Sequence, residues 1–128
     1  MGFWVFMLIM DVLIPAAMIL LGKLFSVRVP KNINFLYGYR TAMSMKNMDT
    51  WTFAHQHSGR LWFRVGLVML PLSVIAMLFL LGQDDETVGI WGAILCLVQV
   101  LALVVAIFPT EHALRQKFDK DGNPRQAN

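Results

Sequence analysis

The sequence predicts an all-α integral membrane protein with three transmembrane helices. Between the first two lies a cytoplasmic loop carrying an interfacial amphipathic helix. Three observations predict this. The 128 residues are 57% hydrophobic and 15% charged, whereas a soluble domain is about a quarter charged. The apolar residues gather in three runs, Phe3 to Gly22, Val65 to Gly82 and Val88 to Pro109, whose strongly polar side chains are Asp11 and Gln99. All 11 Lys and Arg lie between the first two runs or after the third. Crossing about 30 Å of hydrocarbon takes roughly 20 apolar residues. In lipid each run must be a helix, because its backbone polar groups find partners only within the segment.

Span 1 covers about residues 3–24. Phe3 and Trp4 suit the outer interface. Pro15 removes the hydrogen bond to the Asp11 carbonyl and predicts a kink. The run lacks the basic start and small-residue cleavage site of a signal peptide. The motif loop covers about residues 25–61. In it, Ser44 or Asn47 can cap a helix, with Asp49 favourable in the first turn. Trp51, His55, Ser58 or Gly59, and Trp62 then recur on one helical face. This predicts an amphipathic helix at the membrane surface, bending near Ser58-Gly59 into span 2 (about 62–82), with Trp51 and Trp62 as interfacial anchors. Pro71 predicts a kink in that span. The acidic turn Asp84-Asp85-Glu86 leads to span 3 (about 88–108), which Pro109 ends. A short helix then reaches about Phe118. Residues 1–118 form one membrane domain, and residues 119–128 have the composition of a flexible tail.

The charge pattern sets the expected orientation. Lys23, Arg28, Lys31, Arg40, Lys46, Arg60 and Arg64 belong to the loop and its edge, and Arg115, Lys117, Lys120 and Arg125 to the tail. The turn between spans 2 and 3 is purely acidic. The positive-inside rule places the loop and C-terminus in the cytoplasm and the N-terminus outside a bacterial plasma membrane. The net charge of +3 is therefore explained by the lipid bilayer as partner, not by nucleic acid.

Asp11, Ser73 and Gln99 lie ~15, ~16 and ~14 Å from the inner ends of their spans at 1.5 Å per residue. They share one depth near the bilayer middle. A carboxyl there must face the bundle and find partners. Two readings follow: a structural hydrogen-bond cluster, or a proton or ligand site in an oligomeric transporter or channel. Cys96 reads as a small buried residue. His55 and His57 are two apart and face different ways on a helix, so a zinc site would have to recruit His112 and a carboxylate. No nucleophile–base set, phosphate loop or catalytic carboxylate pair is present, so the sequence points to no enzyme, no cofactor and no metal. Arg40 stands between aromatics and hydroxyls. It either ties the loop to helix-end carbonyls or docks a partner or an anionic headgroup.

Asn34, Tyr37, Gly38, Tyr39, Arg40, Thr41, Ser44, Met45, Asn47, Trp51 and His55 together resemble the signature of the SdpI family of small bacterial membrane proteins. The resemblance runs from about Pro30 to Gly66 and into the two following helices. Its founding member confers immunity to a secreted killing peptide and signals by holding a transcriptional repressor at the membrane. The resemblance implies a membrane immunity or signalling protein, with a peptide toxin and a cytoplasmic repressor as partners and these motif residues as the contact region. The founding member has additional spans before this module, and this chain has one.

Overall fold

A computed structural model of the chain describes residues 2–34 and 39–125. Tyr37 and Gly38 of the motif lie outside the described residues. Four helices follow one another: α1 (Gly2–Val27), α2 (Met48–Phe79), α3 (Asp85–Val105) and α4 (Ile107–Lys117). Three stretches of helix, Gly2–Val27, Met48–Phe79 and Asp85–Lys117, are long and apolar enough to cross a membrane.

The bundle is organised around α1. Its buried residues Met7, Asp11, Pro15, Met18, Gly22 and Phe25 recur every three or four positions and make one stripe. α2 runs antiparallel along it, and α3 packs on its N-terminal half. The burial is the reverse of a soluble protein. Leu20 and Phe79 are 72% and 81% exposed, whereas Asp11 and Gln99 are 0% and 1% exposed. In hydrocarbon this distribution is favourable, since apolar surface costs nothing in lipid and polar groups need partners.

Close backbone contact joins α1 to α2. A Cβ on Gly22 would stand 2.6 Å from the Gly59 carbonyl oxygen and 2.6 Å from Phe63 N. One on Gly66 would meet the Pro15 carbonyl oxygen at 2.9 Å. Without a hydrophobic force between helices in lipid, such approach lets dispersion hold them together. Gly59 therefore serves close packing, and the helix runs on through it. At the other end Trp4 Nε1 donates to the Met77 carbonyl at 2.8 Å.

The structure corrects the expected interfacial helix. Its residues are the first turns of α2, continuous with the span from Met48 to Phe79. Their apolar face does not meet lipid, because Trp51, Ala54 and His55 are all 0% exposed, covered by the end of α1, the loop and α4. α3 begins earlier than the hydropathy suggests. Asp84 caps it by accepting from Thr87 N at 2.9 Å, and Asp85 and Glu86 fill the first turn, where the dipole favours them. The break expected at Pro109 falls at Ala106, between α3 and α4. Proline cannot donate to the carbonyl four residues back and its ring crowds it, so the helix ends at Val105 and Pro109 sits in the first turn of α4.

The tail expected from residue 119 is built into the structure as far as Arg125. Phe118 pairs with Pro124, Asp119 Oδ1 accepts from Asp121 N and Asn123 N at 2.9 and 3.0 Å, and Gly122 supplies a carbonyl to Asn47. Composition missed this order because its anchors are distant in sequence.

Candidate functional site

Two polar assemblies stand out, one inside the bundle and one capping its basic end. The first starts from Pro15. With no N–H at position 15, the Asp11 carbonyl loses its intrahelical donor. Gln99 of α3 supplies another: its Nε2 donates to the Asp11 carbonyl at 2.7 Å and to Ser73 Oγ of α2 at 2.7 Å. One amide thus joins all three spans. Cys96, three residues before Gln99 and on the same face, donates its thiol to Asp11 Oδ1 at 2.6 Å. Asp11 Oδ2 and Gln99 Oε1 are buried without a partner. Asp11, Ser73 and Gln99, matched in depth by sequence arithmetic, are indeed brought together. The thiol was not foreseen, although its spacing from Gln99 is the signal that could have found it.

The second assembly is the motif, folded as a cap over the ends of α1, α2 and α4. It is built from α2 outward. Asn47 and Thr50 form a reciprocal capping box: Thr50 N donates to Asn47 Oδ1 at 2.9 Å, and Asn47 N donates to Thr50 Oγ1 at 3.1 Å. This satisfies two N–H groups that a helix start leaves open. The remaining Asn47 donor, Nδ2, reaches the Gly122 carbonyl at 2.7 Å and pins the tail. Before the cap, Thr41 and Ser44 tie a tight turn. Thr41 N donates to Ser44 Oγ at 2.9 Å, and Ser44 N to Thr41 Oγ1 at 3.1 Å.

One turn into α2, Trp51 Nε1 donates to the Pro30 carbonyl at 3.0 Å. Trp51 is thus a core post and not an interfacial anchor. His55 lies 2.8 Å from the Trp51 carbonyl through Nδ1, and its Nε2 accepts from Tyr39 N at 2.9 Å. That pairing requires the neutral ring with its proton on Nδ1. Trp51 and Phe25 enclose the imidazole, with ring centroids at 4.2 and 5.1 Å. Both nitrogens are engaged, so His55 has no atom left for a metal. Among the described residues no group of three or more His, Cys, Asp or Glu is arranged to hold one.

Tyr39 links the loop to α4. Its hydroxyl donates to Glu111 Oε1 at 2.9 Å, with the Ile107 carbonyl at 3.3 Å. Burial, and then the neighbouring Glu111 carboxylate, push the phenol well above its ordinary range, so it stays a donor. Thr50, Glu111 and Pro30 were not singled out by sequence reasoning, and Tyr39 only as part of the family signature. Thr50 stands at capping-box spacing from Asn47, whereas Glu111 meets Tyr39 72 residues away and Pro30 meets Trp51 21 residues away, which no local spacing announces.

The motif side chains Thr41, Ser44, Asn47, Trp51 and His55 are therefore committed to internal bonds. Met45 is half-buried, Asn34 donates to the Asn32 carbonyl at 3.0 Å, and Arg40 is exposed. Ala42, Met43 and Lys46 form one wall of a cavity of about 450 Å³ whose other walls include Arg115, Phe118, Lys120 and Arg125. Its two acids are already engaged, Glu111 by Tyr39 and Asp119 by the tail backbone. The cleft is thus lined by four cations and two carboxylates, with Ala42, Met43 and Phe118 as its apolar residues.

The chain is 38% identical over 58 residues to the uncharacterized protein YfhL of Bacillus subtilis (strain 168), an alignment covering 45% of this chain and 53% of that protein. The chain thus matches about half the length of this relative. No solved structure matches it. The sequence profile of the SdpI/YfhL family matches residues 31–110, from the start of the loop through the motif and both later spans into α4. A match over more than half of its length establishes that this chain belongs to the SdpI/YfhL protein family.

Proposed function

We propose that this protein is an SdpI-like membrane immunity and signalling protein, protecting a bacterial cell from a membrane-active peptide toxin and reporting to a cytoplasmic regulator. The bundle meets the peptide in the plasma membrane. The cap and C-terminus lie in the cytoplasm and the N-terminus outside, in keeping with all 11 Lys and Arg at one end. The observation that carries this reading is the division of labour within the motif. Its hydroxyls, amide, indole and imidazole hold the cap together, while Lys46 lines the cleft beside it. A preformed cleft in which four cations outnumber two carboxylates beside apolar residues suits a partly apolar protein surface with acidic groups.

Cells expressing the protein should survive the peptide toxin better than cells without it. Arg40→Ala and Lys46→Ala should cut protection or regulator recruitment by about fivefold or more without lowering the amount of protein in the membrane, since a desolvated charge contact is worth at least ~1 kcal/mol. Full protection and full recruitment in both variants would refute the assignment.

A second reading, an oligomeric transporter or channel protomer, is favoured by the unpartnered Asp11 Oδ2 and Gln99 Oε1 inside the bundle. It requires flux in proteoliposomes that Asp11→Asn abolishes.

A further inference from the structure

The bundle interior holds an acid that neither the cap nor the cleft uses. Asp11 is 0% exposed, and its two carboxyl oxygens have different surroundings. Oδ1 accepts from the Cys96 thiol at 2.6 Å. Oδ2 is buried without a partner. It faces α3 at Gly92, where an added Cβ would stand 3.3 Å from it and closer still to the Met7 methyl. The amide and thiol hydrogens of the cluster are all engaged. Gln99 Nε2 gives one to the Asp11 carbonyl and one to Ser73 Oγ, and the thiol has only the one that meets Oδ1.

No counter-charge is in reach. At 1.5 Å per residue Lys23 stands about 18 Å along α1 from Asp11, Arg64 about 14 Å along α2 from Ser73, and Glu86 about 15 Å along α3 from Cys96. The groups that α2 and α3 turn toward Asp11 are Ser73, Cys96 and Gln99, none of them charged. A carboxylate here would have a single weak donor, the thiol, and no cation, although donors and opposite charge are what hold a carboxyl ionised inside a protein or a membrane.

The oxygens on offer decide what neutralises it. A calcium or magnesium ion takes about six or more oxygen ligands. The Asp11 carbonyl, Asp11 Oδ1 and Ser73 Oγ already accept hydrogen bonds, which leaves Asp11 Oδ2 and Gln99 Oε1. Two oxygens do not make a cation site. A proton needs one oxygen and no volume.

We infer that Asp11 is a proton-binding site. Its carboxyl carries a proton on Oδ2 and stands between the three spans as a neutral acid, while Oδ1 keeps the bond from Cys96. This deepens the second functional reading without resting on it, since the occupancy follows from the cluster alone.

The test is infrared difference spectroscopy on the full chain in phosphatidylcholine vesicles, where a protonated carboxyl and a carboxylate absorb in separate regions. Asp11→Asn has the shape of the neutral acid and removes its band. The difference between the unmutated protein and D11N should show a protonated-carboxyl band from about pH 5 to about pH 9, a range in which an ordinary Asp is ionised. Cys96→Ala takes the donor from Oδ1 and should move that band to higher frequency. Leu97→Ala, on the exposed side of α3, should leave it in place. Should D11N fail to fold, the shift in C96A still identifies the band. A carboxylate band in place of the protonated one at neutral pH, a band that C96A does not move, or loss of the band on adding sodium or calcium chloride at constant pH would each overturn the assignment. Flux is a separate readout: its absence would remove the transporter reading and leave the proton site standing.

Discussion

Replacing Gln99 with Met keeps the volume and flexibility of the side chain and deletes its amide. Two bonds are lost. The one to Ser73 Oγ is worth ~0.6 kcal/mol, the average for side-chain bonds between membrane helices. The one to the Asp11 carbonyl matters more, because Pro15 has already taken away that carbonyl's helical donor. A buried acceptor left unsatisfied costs ~1–3 kcal/mol, and deleting the unpartnered Gln99 Oε1 offsets part of that, so the net cost should be ~1–2 kcal/mol. The same reasoning makes a sharper demand on the double variant. Pro15→Ala restores an N–H four residues from Asp11, and in that background Gln99→Met should cost only the Ser73 bond. The coupling between positions 15 and 99 should then be ~1–2 kcal/mol, beyond the error of a double-mutant cycle. Reversible unfolding in mixed detergent micelles, or steric trapping in bicelles, measures all four variants. Additive effects, or a cost for Gln99→Met below ~0.5 kcal/mol in the native background, would refute the claim that Gln99 replaces the donor that proline removes.

Gly22→Ala and Gly59→Ala should each destabilise the bundle by ~1–3 kcal/mol in thermal unfolding, because the new carbon meets backbone that cannot yield. Gly92→Ala should cost less, since it meets the flexible end of Met7. Asn47→Ala should cost ~1–2 kcal/mol through the lost cap and should speed tryptic cleavage at Lys120, because the Gly122 anchor goes with it. Tyr39 gives a pH dependence. Its folded-state phenol is raised above the ordinary 10.0, so above about pH 10 the unfolded chain loses a proton that the folded one keeps. The contribution is full below that pH and is lost progressively as pH rises from there through the folded-state value. In a Tyr37→Phe variant, phenolate absorbance should appear only as the protein unfolds. A normal titration near pH 10 in the folded protein would contradict the buried bond to Glu111.

How much of this could be read from the chain depends on the range of the interaction. The spans were legible because hydropathy acts residue by residue, and the α3 start was off only because the acidic cap Asp84-Asp85-Glu86 is polar yet helical. The Asp11, Ser73 and Gln99 cluster was legible because polar residues in lipid are few and helical rise fixes their depth. The Pro15 gap in hydrogen bonding was legible too, though not that Gln99 fills it. The amphipathic stripe of Trp51 and His55 was read correctly as a helix face, but periodicity cannot say whether lipid or protein covers it. The docked tail and the Tyr39–Glu111 bond rest on contacts more than 70 residues apart in sequence, which no local pattern encodes.

The central claim is that this chain crosses the membrane three times and folds its motif into a cap on the basic, cytoplasmic side. A cysteine placed at the exposed residue Ala42, in a Cys96→Ser background that keeps a donor for Asp11, reports on it. A membrane-impermeant maleimide should leave intact cells unlabelled at Ala42 and react only after permeabilisation, while a cysteine at Gln83 should react in intact cells. Labelling of Ala42 from the medium would contradict the claim.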